Sequence, residues 1–188
     1  MLYEPEVPAV EPPAGDAPLV IVAGSTAQDP YAELVRMAIC ALADEPVRVL
    51  ATTSGHRTGV VGPLPDNARV VEWLSLERVL GETSAVVARG GHGIVSRALA
   101  AGVPLLVCPG DGDMPENGAR VAWSGAGLTV PRPLLGPTSL RVATRRLIAD
   151  RRFRRRAGEI ADWSRRHDGA QRGTELVEEL VAAGESAT

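Results

Sequence analysis

A glycine-rich turn and an acidic loop, both within residues 84–117, contain the residue types best suited to binding chemistry. Gly90, Gly91 and Gly93 follow a short apolar run, Ala85 to Ala88, and precede residues with the apolar spacing of a helix. Glycine lets the backbone turn sharply, and the amides at the start of a helix have no partner within it. Together with the helix dipole they attract anions, so this spacing predicts a phosphate site.

The acidic loop follows the next predicted strand, Pro104 to Cys108, and contributes Asp111 and Asp113. Ligands of open α/β sheets bind at the carboxyl ends of the strands, which places both carboxylates at the ligand edge. The glycine turn alone is ambiguous, because many parallel α/β domains need one only to pack a helix against the sheet. The dinucleotide fingerprint G-x-G-x-x-G is not met, since Ser96 stands at its sixth position counted from Gly91.

A longer string narrows these alternatives. GGHG, a helix ending in ALAAGVPLLVCP and the following GDMPENGARV resemble the C-terminal, donor-binding half of GT-B glycosyltransferases, and the macrolide-type, antibiotic-modifying group in particular. The resemblance covers residues 19 to 182. It implies a domain that binds a nucleotide-sugar, within an enzyme that transfers the sugar with inversion to a small-molecule acceptor. No metal and no other cofactor is expected.

The resemblance also implies which positions contact the donor. Hydroxyls of Ser25 and Thr26 would reach the diphosphate, or would only satisfy a turn or helix cap. Trp73 opens a segment that includes Ser75 and would stack on the nucleobase. Alternatively, Trp73 would pack in the core or at its rim. The remaining positions are Arg89, Gly90, Gly91, His92, Gly93, Ile94 and Arg97 on the nucleotide, and Asp113, Met114 and Asn117 facing the sugar.

Four of these positions differ from the family's usual residues. This sequence has Arg89 where the family usually has His, and Ile94 where it has Ser or Thr. It has Arg97 where the family has Glu, and Met114 where the family has Gln. Arg89 would extend over the helix N-terminus and pair bidentately with the diphosphate, or would pair with Asp111 or Asp113.

These departures leave two interpretations open. One is a dTDP-deoxysugar donor in place of a UDP-hexose, because a deoxyribose offers one hydroxyl fewer and a thioether suits the apolar carbons of a deoxysugar. The other is a non-catalytic nucleotide-binding or subunit-interaction domain that partners a separate acceptor-binding chain.

Apolar runs and turn signals predict the elements that carry these positions. A doubly wound, Rossmann-like α/β domain of about six parallel strands, followed by C-terminal helices, is expected. The predicted strands are Leu19 to Ala23, Val47 to Ala51, Asn67 to Trp73, Ala85 to Ala88, Pro104 to Cys108 and Leu128 to Val130.

Helical spacing predicts where the intervening helices lie. A first helix starts near Asp29 and Pro30 and includes Tyr31, and another follows the acidic loop after Asn117. A final helix over 174–182 is expected to pack through Leu176, Val177, Leu180 and Val181.

Length and composition limit the remaining possibilities. With 188 residues and 45% hydrophobic content, one donor domain over 19–188 is expected, preceded by a Pro-rich linker over 1–18. All 20 basic residues are Arg, and ten of them lie within 141–166. Apolar residues at helical spacing between them are typical of amphipathic helices with solvated faces, so no nucleic-acid partner is expected.

Two further features concern the cellular setting. Cys40 and Cys108 stand in apolar contexts and are expected to be free, buried thiols of a cytoplasmic protein. The sequence shows no metal-ligand spacing and no run long enough to cross a membrane.

Overall fold

The computed structural model describes residues 7–26, 29 and 31–185. Its centre is a sheet of six parallel strands in the order β3-β2-β1-β4-β5-β6. The strands are β1 Leu19–Ala23, β2 Arg48–Thr52, β3 Ala68–Val71, β4 Thr83–Ala88, β5 Leu105–Val107 and β6 Gly127–Thr129. The strand order reverses direction between β1 and β4, as in a doubly wound Rossmann-like domain, which confirms the predicted fold class.

Helices cover both faces of this sheet. They are α1 Glu33–Leu42, α2 Leu76–Val79, α3 His92–Ala100, α4 Met114–Ser124, α5 Pro137–Ala149, α6 Arg151–Arg166 and α7 Gly169–Glu185. Short 3-10 turns lie at Thr58–Val61, Leu80–Glu82 and Arg132–Leu134.

The strands contribute alternate side chains to two apolar cores, as the period of two requires. On one face, here called the α1 face, Val20, Val22 and Val87 pack with residues of α1 and α5. On the other, the α3 face, Ile21 and Val86 pack with residues of α2, α3 and α4. Apolar runs buried on both sides are typical of parallel strands, which is why they were visible in the sequence.

Two helices begin elsewhere than predicted. Helix α4 starts at Met114, so residues 114–117 belong to the helix and not to the acidic loop. Pro115 favours this early start, because its fixed φ suits the first turn, where its missing N–H costs nothing. Helix α1 starts at Glu33, and Tyr31 precedes it with an exposed side chain.

The prediction that the last helix packs through its aliphatic residues is wrong. Leu176, Val177, Leu180 and Val181 are all exposed on α7, which is longer than expected. The reason is geometric, since helices α1 to α5 already cover the two faces of the sheet.

The Arg-rich helices α5 and α6 have the expected solvated faces. Leu140, Leu147 and Phe153 are buried, whereas many of the Arg side chains form exposed ion pairs with acidic residues. Trp163 departs from the pattern, because its ring is exposed and stacks on His167 with centroids 4.4 Å apart.

The described part of the proline-rich segment, residues 7–18, contains no helix or strand. It lies against the sheet through backbone carbonyls, since Arg48 donates to Ala17 and Pro13 and Arg69 donates to Glu11. Its role as a linker stays a prediction.

Candidate functional site

The glycine turn joins β4 to α3, and its three glycines serve different purposes. Gly90 has φ of +94°, and a Cβ there would lie 2.5 Å from Val107 Cγ1, so no other residue fits. Gly91 occupies the cap position of α3. A Cβ on Gly93 would meet nothing within 4 Å. The space beside the first turn of α3 is therefore open at Gly93, which leaves room for the predicted anion.

Helix α4 begins beside this turn and is tied to it by Asn117. Its Nδ2 donates to the Gly90 carbonyl and to Asp113 Oδ2, both at 3.0 Å. Asp113 is exposed at the start of α4, whereas Met114 is only 9% exposed. The Met114 methyl group would lie 3.8 Å from a Cβ on Gly91. Met114 was predicted to face the sugar together with Asp113 and Asn117. Its side chain instead lies mainly in the floor of the glycine turn.

The loop after β1 lies next to the turn, because β1 and β4 are neighbours in the sheet. Ser25 is half-buried and Thr26 is exposed. Residues after β2 hold this loop, since Ser54 Oγ donates to the Gly24 carbonyl at 3.1 Å and His56 Nε2 lies 3.1 Å from the Thr26 carbonyl. Sequence reasoning missed these two supports, because an isolated Ser or His in a polar loop carries no distinctive signal.

Trp73 lies two residues beyond β3, at the same edge of the sheet, and is 43% exposed. Its indole lies close over Gly55, where a Cβ would come within 2.6 Å of Cζ2. The ring is thus supported by the backbone on one side. Ser75 is half-buried and occupies the cap position of α2. The predicted nucleobase contact is not tested by this geometry.

Three further predicted positions lie on the first turns of α3. His92 is exposed, with Nε2 3.4 Å from Ser96 Oγ. Ile94 is half-buried and packs against the α3-face core. Arg97 is half-buried and lies one turn beyond Gly93 on the same side of the helix.

Arg89 differs most from its predicted position. Its side chain lies on the α1 face, only 8% exposed, and Nη2 donates to Asp29 Oδ1 at 2.9 Å. It was expected over the N-terminus of α3, or paired with Asp111 or Asp113. Strand alternation explains the difference, because residue 89 continues the face of Val87 and so points toward α1. The partner is the residue predicted to start α1.

A cleft of about 230 Å³ borders Arg89 on the α1 face. Glu33, Asp111 and Arg132 are among the charged residues that line this cleft. A larger groove lies at the amino ends of β1 and β2, beside Pro18 and Val47.

Burial raises the pKa of the Cys108 thiol to about 12, and the charge of Arg89 offsets only part of that effect. Cys108 is therefore a neutral core residue and not a nucleophile.

The described residues contain neither a cluster of metal ligands nor a membrane-spanning helix. Within 7–26, 29 and 31–185, no three His, Cys, Asp or Glu side chains lie together as metal ligands would. No helix in that part of the chain has the length and apolar character needed to span a bilayer.

Comparison with known proteins identifies the family. The model for the erythromycin biosynthesis protein CIII-like C-terminal domain matches residues 36–182. The chain is 35% identical over 183 residues to 4'-demethylrebeccamycin synthase from Lentzea aerocolonigenes, covering 94% of this chain and 43% of that protein.

Solved structures give the same result. CalG4, the calicheamicin glycosyltransferase, has a TM-score of 0.82 at 31% identity, covering 94% of this chain and 46% of its own. Glycosyltransferase VinC, solved in complex with dTDP, has a TM-score of 0.77 at 33% identity, covering 95% and 45%. The chain thus spans less than half the length of these relatives. It belongs to the family of erythromycin biosynthesis protein CIII-like C-terminal domains, as the sequence resemblance predicted.

Proposed function

We propose that this chain is the donor-binding domain of an inverting glycosyltransferase that moves a sugar from a nucleoside diphosphate to a small-molecule acceptor such as a natural product. The observation that carries the proposal is the open N-terminus of α3 beside Gly93, at the point where the strand order reverses. Ligands of doubly wound sheets bind at that point. Similarity to VinC, which was solved with dTDP, supports a nucleoside diphosphate as the ligand.

In this proposal the nucleotide lies across the strand ends from Trp73 to the glycine turn. The base stacks on the exposed face of the Trp73 indole, whose other face rests on Gly55. Ser25 and Thr26 contact the diphosphate from the β1 loop. The amides of Gly91 to Gly93 stabilise the charge that develops on the diphosphate as the glycosidic bond breaks.

The donor favoured here is a dTDP-deoxysugar. Arg97 stands where the family has a carboxylate for the ribose hydroxyls, and a deoxyribose lacks one of them. Met114 lies in the floor of the turn and Asn117 beside it, so a sugar there borders an apolar floor as well as polar groups. An apolar sugar carbon suits the thioether, whereas a hydroxyl left unpaired there would lose its hydration.

The reaction also needs an acceptor and a general base that removes its hydroxyl proton. As that oxygen attacks the anomeric carbon, the nucleoside diphosphate leaves with the bonding electrons. We place the base and acceptor site in an N-terminal acceptor domain, in the same longer chain or a separate subunit. No metal or other cofactor enters this scheme.

A second candidate is a non-catalytic nucleotide-binding or subunit-interaction domain. The burial of Arg89 against Asp29 favours it, because the charge at this position is paired within the protein. The exposed aliphatic residues of α7 also suit an interaction role.

Calorimetric titration of dTDP, UDP and thymidine into the purified chain tests the proposal. We expect dTDP to bind more tightly than thymidine, since the diphosphate supplies charge-assisted contacts. We expect no sugar transfer by the chain alone. Failure of both nucleotides to bind at millimolar concentration would contradict the donor-site proposal, and steady turnover would contradict the need for an acceptor domain.

A further inference from the structure

The buried pair Arg89–Asp29 joins two loops that are 60 residues apart in sequence. The Asp29 side chain is fully buried and that of Arg89 nearly so. Asp29 also accepts hydrogen bonds from the backbone N–H of Glu33 at 2.9 Å and of Leu34 at 3.2 Å. One carboxylate therefore caps the first turn of α1 and neutralises the cation at the end of β4.

These two loops form opposite sides of the proposed phosphate site. Asp29 belongs to the connection that carries Ser25 and Thr26, and Arg89 immediately precedes the glycine turn. Among the described residues, Arg89 forms an ion pair with Asp29. Its Nε atom is buried and has no hydrogen-bond partner among them. Burying a guanidinium in this way has a desolvation cost, so the pair is weak evidence for stability alone.

A direct phosphate contact that used Arg89 Nη2 would require the pair to open. Asp29 would then remain buried with only backbone N–H groups around it, and removing one partner of a buried pair is strongly unfavourable. The amides of the glycine turn need no such rearrangement to meet a phosphate.

We infer that Arg89 is a positioning residue, which acts on the donor site through Asp29 by holding the β1–α1 connection against the glycine turn. This inference rests on the proposed function. Arg89 takes the place of a direct phosphate ligand without making that contact, and donor affinity depends on the pair and not on the guanidinium charge alone.

The decisive variant is Asp29→Asn, because the two roles of Arg89 predict opposite results for it. A positioning role predicts that Asp29→Asn and Arg89→Met each weaken dTDP binding on the order of tenfold, a typical size for coupling through neighbouring groups. The double variant should be no weaker than either single variant, since both remove one pair. A direct contact predicts that Asp29→Asn frees Arg89 and leaves dTDP binding unchanged or tighter.

The double variant also guards against misfolding, because removing both charges avoids an unpaired buried ion. Arg132→Ala is the matched control, since Arg132 lines the same cleft but pairs with Asp111. We expect it to change dTDP affinity less than about twofold, as is usual for an exposed ion pair. Thymidine affinity should stay unchanged in every variant.

Backbone hydrogen exchange tests the link without a nucleotide. Asp29→Asn should speed exchange at Val95, whose N–H donates to the Gly91 carbonyl, and Arg89→Met should speed it at Glu33 and Leu34. Unchanged dTDP affinity in Asp29→Asn, or exchange effects confined to the mutated loop, would overturn the inference. A wild-type chain that binds no dTDP would instead remove the proposed function, and the positioning role with it.

Discussion

At the scale of single residues, Gly90 and Gly93 of the same turn have different roles. Gly90 is needed by the fold, because its backbone is left-handed and its missing side chain lets Val107 approach. Gly93 has no such need, since its conformation is ordinary and the space around it is open. In the proposed donor site the phosphate uses this open space, so glycine suits position 93.

Substitution of Gly90 should therefore destabilise the whole domain. Gly90→Ala adds a left-handed alanine and a methyl group 2.5 Å from Val107 Cγ1. We expect a loss of roughly 2 to 5 kcal/mol in the free energy of unfolding from backbone strain and overpacking. Urea denaturation followed by circular dichroism measures it, and a loss below about 1 kcal/mol would show that the turn adapts.

Substitution of Gly93 should instead preserve stability and weaken nucleotide binding. Gly93→Ala replaces a helical glycine, so stability should be kept or rise by about 0.5 to 1 kcal/mol. The added methyl group occupies the space proposed for the phosphate, and loss of charge-assisted contacts should weaken dTDP about tenfold or more. Thymidine titrated in parallel should be unaffected. Unaltered dTDP affinity would place the phosphate elsewhere.

The two cysteines should differ in reactivity. Cys40 is exposed, so the expectation that both thiols are buried is wrong for it. Cys108 is buried, and that burial raises the pKa of its thiol to about 12. Because the thiolate is the reactive form, Cys108 should be inert at pH 8 in the folded protein. Titration with a chromogenic disulfide should therefore detect one thiol per native chain and two after unfolding. Rapid reaction of both in the native state would mean that the core opens readily.

At the scale of elements, the strands were the part best predicted from sequence. Runs such as Leu19–Ala23 are buried on both sides of the sheet, and that burial leaves a continuous apolar signature. Helix ends and side-chain directions were less accessible. The start of α4 depended on recognising Pro115 as a first-turn residue, and the direction of Arg89 depended on continuing the strand alternation past the last strand residue.

The start of α6 carries a pH-dependent contribution to stability. Hydrogen bonds from the side chain and backbone of Arg152 lower the pKa of Asp150 from 3.8 to about 2. A carboxylate with a lowered folded-state pKa stabilises the protein above its ordinary pKa, and that contribution is lost as the pH falls through the folded value.

Asp150→Asn should consequently make the free energy of unfolding less dependent on pH at acidic pH. Between pH 4 and pH 2, the free energy of unfolding of the wild type should fall more steeply than that of the variant. Denaturant unfolding at half-unit pH intervals provides the comparison, with Asp66→Asn as an exposed control. Parallel slopes for wild type and Asp150→Asn would show that the ion pair does not form in solution.

At the scale of the whole molecule, the site combines loops from strands that are neighbours in space and distant in sequence. Trp73 and the glycine turn are separated by three strand spacings, roughly 14 Å at about 4.8 Å each, since β2 and β1 lie between β3 and β4. The sequence predicted both ends of this span through family resemblance. It could not predict the supports between them, because Ser54, His56 and Asp29 act through backbone carbonyls or long-range pairing.

The chain spans less than half the length of the relatives compared above. It covers 43% of 4'-demethylrebeccamycin synthase and 46% of CalG4. A donor domain that binds and holds the leaving group is a coherent unit of function, whereas bond formation also needs an acceptor and a base. Under the proposed function, nucleotide binding is therefore the property that tests this domain most directly.

The most direct test of the central claim is an amide-resolved NMR titration of the isotopically labelled chain. Saturating dTDP should shift the amide signals of Gly91, His92 and Gly93, whereas thymidine should leave them in place and shift only the Trp73 indole signal. That result would assign the diphosphate to the N-terminus of α3 and the base to Trp73. Unmoved signals at Gly91, His92 and Gly93 under saturating dTDP would contradict the account.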